Sequence, residues 1–186
     1  LSPEERTADL LQRMTLEEKI AQIRHIHSWN IFEEQELNKS KLQEFVGDLC
    51  WGFVEGFPLT GENCHRHMRH IQEYMLNHTR LGIPIFTVAE ALHGSVHEGS
   101  TIYPQNIALA STFNPELAYL RATEISKELH YQGINQILAP CIDVVRDLRW
   151  GRIEESYGED PYLNGIFAYK EAKGYLDNGI SPMLKH

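Results

Sequence analysis

An α/β fold of parallel strands joined by crossover helices is predicted by three features of the sequence. Short apolar runs are bounded by glycine and proline, capped helical patterns alternate with them, and clusters of polar residues directly follow them. The 186 residues, 42% of them hydrophobic, suffice for one domain with a substantial core. Ser2-Pro3-Glu4-Glu5 opens a helix with a hydroxyl cap, proline at the first position and glutamate at the third, and Thr15-Leu16-Glu17-Glu18 repeats the capping-box logic. A first strand is expected over Leu49 to Val54, bounded by Gly47-Asp48 before it and Gly56 with Pro58 after it. A helix from Gly61 to Thr79 follows, then a second strand over Ile83 to Val88 entered through Gly82. Asn114 and Pro115 start a helix that runs to Tyr131 and leaves through Gly133. A third strand spans Gln136 to Cys141, a helix spans Tyr162 to Leu176, and a fourth apolar segment begins at Pro182-Met183-Leu184.

Four parallel strands suit either an open doubly wound sheet or part of a barrel, and periodicity does not choose between them. A complete (β/α)8 barrel takes about 250 residues. A chain of 186 residues that stops at its fourth strand therefore reads as unfinished. The polar clusters Glu90 to His97, Asp143 to Asp160 and Lys185-His186 all follow apolar runs, which is the functional edge of such folds.

Charge narrows the partners. With 17 basic residues against 26 acidic ones and a net charge of -9, a nucleic-acid or anionic-membrane surface is disfavoured, because phosphate binding needs clustered Lys and Arg. No run reaches the apolar length of a bilayer span. Cys50, Cys64 and Cys141 are odd in number and widely spaced, so they define neither a disulfide framework nor a metal knuckle. No cofactor is expected. Leu1 is not an initiator methionine, so the compartment stays open.

The densest chemistry lies in Arg146-Asp147-Leu148-Arg149-Trp150-Gly151-Arg152, followed by Glu154-Glu155-Ser156-Tyr157-Gly158-Glu159-Asp160-Pro161. Guanidinium forks, paired carboxylate acceptors and an aromatic face are what a polyol-binding loop needs, and they point to carbohydrate. Two other clusters invite different chemistry. Cys64, His67 and His70 recur every three residues, a spacing that could hold zinc or copper, but Arg66 and Arg69 would repel a cation and we read the segment as the polar face of an outer helix, with no metal. Asp143, Asp147, Glu154, Glu155, Glu159 and Asp160 could in principle supply a catalytic pair, but we read them as solvated or paired with the neighbouring arginines. His93 and Gly94 read as structural, a loop-orienting hydrogen bonder and a turn glycine.

Arg149-Trp150-Gly151-Arg152 with Glu155-Ser156-Tyr157-Gly158-Glu159-Asp160, together with Glu90-Ala91-Leu92-His93-Gly94, Ala139-Pro140, Lys185-His186 and the opening Met14-Thr15-Leu16-Glu17-Glu18-Lys19-Ile20, resembles glycoside hydrolase family 3. The resemblance implies that residues 1–186 are the N-terminal portion of a TIM-type (β/α)8 barrel domain. The rest of the barrel and a following domain would lie outside this chain. It further implies a retaining exo-acting β-glycosidase of β-glucosidase or β-xylosidase type, acting on an oligosaccharide or small β-glycoside, and favours a periplasmic or secreted location. Carried over by position, it makes Arg152, Lys185 and His186 partners of the terminal sugar's hydroxyls and sets Glu90 where many glucosidase-like members have aspartate. The longer carboxylate intrudes on the space of a hydroxymethyl group, which leans toward a pentose such as xylose. The nucleophilic aspartate would sit on a later strand and the general acid/base on a following domain, so no catalytic residue is expected in this chain and the chain alone is expected to be inactive. A non-catalytic sugar-binding protein would keep the same four residues and lack that distal pair. Leu148 departs from the proline common before Arg149-Trp150, which relaxes the backbone at one loop position.

Overall fold

The computed structural model describes residues 1–56 and 61–186. They form two compact units, one of Leu1–Gly56 with Arg69–Phe86, the other reaching up to Met68 and running from Thr87 to His186.

In the first unit, helices α1 (Pro3–Arg13) and α2 (Leu16–Gln22) start at the caps the sequence marks. The backbone N–H of Ser2 donates to Glu5 at 2.7 Å while Glu5 N–H donates back to the Ser2 hydroxyl at 3.2 Å, and Thr15 with Glu18 repeats the exchange. Each cap satisfies N–H groups that the helix itself leaves without partners. Glu18 also receives Arg80 Nε and Nη2, both at 2.6 Å, and the guanidinium draws its carboxyl down to about 2.

Strand β1 (His25–His27), helix α3 (Ser28–Ile31), the antiparallel pair β2 (Phe32–Glu33) and β3 (Glu36–Leu37), and helix α4 (Lys39–Val46) follow. No strand is expected from the sequence before Leu49. β1 pairs in parallel with β4 (Phe53–Glu55), placing Ile26 opposite Val54, both fully buried, and His27 opposite Glu55. The strand expected over Leu49 to Val54 is thus displaced toward its C-terminus. Gln22 Nε2 donates to Cys50 O at 2.5 Å and Gly52 N–H to Ala21 O at 3.1 Å, so this stretch is held against the end of α2 rather than in a ladder. A Cβ on Gly52 would lie 1.9 Å from Gln22 O, which only glycine avoids. Gly56, at φ 84°, closes the strand as expected, whereas Pro58 lies outside the described residues.

Helix α5 (Gly61–His78) ends one residue before its expected Thr79. The strand expected from Ile83 begins only at Phe86, as β5 (Phe86–Ala89). Ile83 N–H is taken by Cys50 Sγ at 3.3 Å and Ile85 N–H by Gln72 Oε1 at 3.1 Å, and Pro84 has no N–H to offer.

In the second unit, β5 pairs in parallel with β6 (Gln136–Ile137), which pairs in parallel with β7 (Ser181–Pro182). Among the described residues five parallel strands therefore replace the expected four, β1 being the addition. The ladder of β6 stops at Ile137, short of the expected Cys141, because Pro140 cannot donate. Cys141 then rejoins as a parallel bridge to Lys185. Helix α6 (Asn106–Ala110) has no counterpart in the sequence reading, whereas α7 (Glu116–Gln132) and α8 (Pro161–Asp177) lie within a residue of their expected bounds. Asn114 Oδ1 accepts Glu116 N–H at 3.2 Å, Gly133 leaves α7 at φ 77°, and Asp160 caps α8 from Leu163 N–H at 2.7 Å.

Where α7 and α8 cross, Gly174 packs so closely that a Cβ would lie 2.7 Å from Tyr119 O and 2.8 Å from Ala122 Cβ. Beside this crossing Leu109, Ala118, Tyr157, Phe167 and Ala168 form an apolar cluster. Through it runs a buried polar chain. Arg121 Nη2 and the Tyr157 hydroxyl both donate to Glu171 Oε2, Arg121 also donates to Pro104 O at 2.9 Å and Asn106 Oδ1 at 2.5 Å, and Asn106 Nδ2 donates to Glu155 O at 2.6 Å. Burial pushes the Glu171 carboxyl upward against the pull of Arg121. Removing one member strands the other's charge in the core, so Arg121→Met is expected to destabilise the fold by about 3–5 kcal/mol in urea unfolding, and a loss below about 1 kcal/mol would refute this role.

Candidate functional site

The second unit gathers all four predicted binding residues at the carboxyl ends of its strands. Glu90 directly follows β5, Lys185 and His186 follow β7, and Arg152 reaches them from the loop after β6. Lys185 Nζ lies 3.0 Å and 3.2 Å from the two Glu90 oxygens. The lysine side chain is only 12% exposed and the glutamate 44%. The backbone sets this reach: Lys185 N–H donates to Pro140 O at 3.1 Å and Ile142 N–H to Lys185 O at 2.7 Å, so the strand segment cannot slide.

Arg152 offers its fork to Glu155, Nε to Oε1 at 2.8 Å and Nη2 to Oε2 at 2.5 Å, and its Nη1 lies 2.9 Å from His186 Nε2. His186 Nδ1 lies 2.8 Å from Asp143 Oδ2. These contacts fix the tautomer. A carboxylate can only accept, so Nδ1 carries the proton and donates to Asp143, while Nε2 accepts from the guanidinium. The same pairings shift the acids downward: the His186 hydrogen bond holds Asp143 below the ordinary carboxylate range, and the Arg152 fork does so for Glu155. Glu155 in turn raises Arg152. Cys141 donates to Asp143 Oδ2 at 3.1 Å, and burial, reinforced by that carboxylate, pushes its thiol up to about 11. It is a proton-bearing structural thiol rather than a nucleophile.

Three carboxylates, two cations and a neutral imidazole therefore line one edge with their partners already engaged. Such a surface suits a neutral polyol, whose hydroxyls both donate and accept.

Asp143, Glu155 and Cys141 complete this cluster; Glu155 is paired with a neighbouring arginine as expected, whereas no motif in the sequence assigns Asp143 or Cys141 to it. Asp143 stands after the third apolar run as Glu90 stands after the second, and that parallel placement is the available signal. Its support is buried. Ser156 Oγ donates to Asp143 O at 2.5 Å and Asn164 Nδ2 to the same oxygen at 2.9 Å. Of the other acids, Asp147 holds Arg149 on the surface, in line with the paired reading, whereas Asp160 departs from it by capping α8. His93 Nδ1–H donates to Tyr103 O at 2.9 Å, and a Cβ on Gly94 would lie 2.2 Å from Thr101 O, so both residues shape the loop. Cys64 Sγ lies 3.4 Å from His97 Nε2 inside the second unit, and burial pushes this thiol to about 12.

This edge belongs to an α/β domain of TIM-barrel type. The chain belongs to glycosyl hydrolase family 3: the profile of that family's N terminal domain matches residues 15–186. A periplasmic beta-glucosidase of Salmonella typhimurium is 33% identical over 185 residues, covering 98% of this chain and 22% of that protein. A beta-xylosidase of Formosa agariphila is 46% identical over 90 residues, or 45% of this chain and 12% of that one. Among solved structures, a β-glucosidase from Erythrobacter marinus superposes over 100% of this chain and 26% of its own, with a TM-score of 0.90 and 29% identity. The chain thus spans about a quarter of the length of the relatives that match it from end to end.

The Asp143 contact has a measurable pH signature. Its stabilisation is complete above the ordinary carboxylate pKa of about 3.9 and disappears as pH falls through the depressed value. Carbon-detected NMR titration is expected to place Asp143 below about 3.9 and to return it upward in His186→Ala. An Asp143 that titrates identically in both proteins would contradict the assigned hydrogen bond.

Proposed function

We propose that this chain supplies the sugar-binding residues of a retaining exo-β-glycosidase, in which Glu90, Arg152, Lys185 and His186 grip the hydroxyls of the terminal non-reducing sugar. The observation that carries this reading is the convergence of these four residues on one strand edge in hydrogen-bonding range of one another or of shared carboxylates. Family membership and relatives named β-glucosidase and β-xylosidase support it. Lys185 and Arg152 donate to hydroxyl oxygens, while Glu90 accepts from hydroxyls on the opposite side of the ring. Each charged group is already oriented by its partner, so little side-chain freedom remains to be lost on binding. The two carboxyl groups needed for retention, about 5–5.5 Å apart, would come from outside this chain, and the chain by itself would not turn over substrate.

We further propose a preference for a pentose. Glu90 carries one methylene more than aspartate and so occupies room that the hydroxymethyl arm of a hexose requires.

In the full-length protein, nitrophenyl β-xyloside is expected to exceed nitrophenyl β-glucoside in kcat/KM, and Glu90→Asp to shift the ratio toward the glucoside. Strong glucoside preference in the unaltered enzyme would sink the pentose assignment. Arg152→Ala and Lys185→Ala should each lower kcat/KM by about 10- to 100-fold, as loss of a charged hydrogen bond to substrate predicts. Saccharide binding without hydrolysis in the full-length protein would instead identify a non-catalytic carbohydrate receptor.

A further inference from the structure

The first unit holds a second cluster of ligating side chains, at the ends of β1 and β4. His25 and His27 alternate on β1 and therefore project to the same face, and the register sets His27 directly opposite Glu55. Glu55 Oε1 lies 3.2 Å from His27 Nδ1 and 3.6 Å from His25 Nε2. One ligand atom from each residue can be chosen so that all three fall within 4.8 Å of one another.

These separations match a coordination sphere. Ligand atoms around a tetrahedral zinc ion, with bonds of about 2.0–2.2 Å to imidazole nitrogen and carboxylate oxygen, stand about 3.3 Å apart. The second observation is an orphan. His27 Nδ1 is shielded from solvent, and despite its proximity to Glu55 it has no hydrogen-bond partner among the described residues. A buried ring nitrogen facing a carboxylate without a hydrogen bond leaves a polar group uncompensated, and a cation between the two would satisfy both. The His27 ring is also held in place. Trp29 stacks on His27 with centroids 3.9 Å apart and planes 12° from parallel, while the 2.8 Å contact between His25 Nε2 and His27 Nε2 would be given up as His25 Nε2 turns to the ion.

We propose that His25, His27 and Glu55 form a binding site for a divalent transition-metal ion of zinc type. Two imidazoles and one carboxylate supply three ligands, and the half-exposed His25 side leaves the fourth position to water. The ion would tie β1 to β4 through their side chains, beyond the two strands' own ladder.

The test uses the intact chain freed of metal by chelator dialysis and titrated calorimetrically with zinc chloride. One ion per chain is expected, with affinity at least 100-fold weaker in His25→Ala and in Glu55→Gln and unchanged in Cys64→Ser and His186→Ala. Glu55→Gln is nearly isosteric, so it keeps the result interpretable if His25→Ala misfolds. Cobalt in place of zinc should give the intense visible absorption of a tetrahedral site, absent from Glu55→Gln. No binding at millimolar zinc, or binding abolished by Cys64→Ser or His186→Ala while His25→Ala retains it, would overturn the assignment.

Discussion

The second unit depends on one buried ion pair. Arg121 and Glu171 are almost wholly removed from solvent, and neither could stay charged in that interior without the other. The pair does not act alone, because Tyr157 shares the same glutamate oxygen and Asn106 passes the restraint to the backbone of Glu155. Nearby, Tyr175 on α8 donates to Ala91 O at 3.3 Å, next to Glu90. Two loops that carry candidate ligands of a sugar are thus held from beneath by hydrogen bonds in a low-dielectric interior, where each is costly to break.

The visible edge is organised differently. Its contacts are partly exposed, so each contributes modestly to stability, and their value lies in direction. Arg152 commits three of its donors to Glu155 and His186, which leaves the remaining N–H groups with fixed headings. Lys185, mostly covered, has its ammonium steered by Glu90. The edge is rigid because its charges are mutually satisfied, and the buried network keeps the loops from drifting apart.

Much of this was legible in the sequence where the governing interactions are local. Capping boxes span three residues, and those of Ser2 and Thr15 form as written, whereas the Asp160 cap of α8 was not anticipated. Strands were harder, because their limits are set by distant partners. β1 consists of His-Ile-His, in which only Ile26 is apolar, so no alternation announces it. Nor does that tripeptide hint that its two imidazoles share a carboxylate, since Glu55 reaches them only through the pairing of β1 with β4. The starts of β4 and β5 moved because side chains of Gln22, Gln72 and Cys50 capture the backbone that the apolar pattern assigns to ladders. The four binding candidates came from motif resemblance, and Glu155 lies in the same motif three residues from the Arg152 it orients, but the carboxylate that orients His186 was not foreseen, since Asp143 and His186 stand 43 residues apart and pair only through the fold.

The crossing of α7 and α8 has a consequence for how this domain can vary. The distance between the two helices is set by a missing atom at Gly174, not by an attraction that could be retuned. Outward-facing pairs such as Lys170 with Glu116 can be exchanged without disturbing anything beneath them. A single methyl at the crossing would lever α8 away from α7, and the segment leaving α8 is the one that ends in Lys185 and His186. A mutation well upstream of those two residues, touching no ligand, would therefore be felt as a misaligned grip.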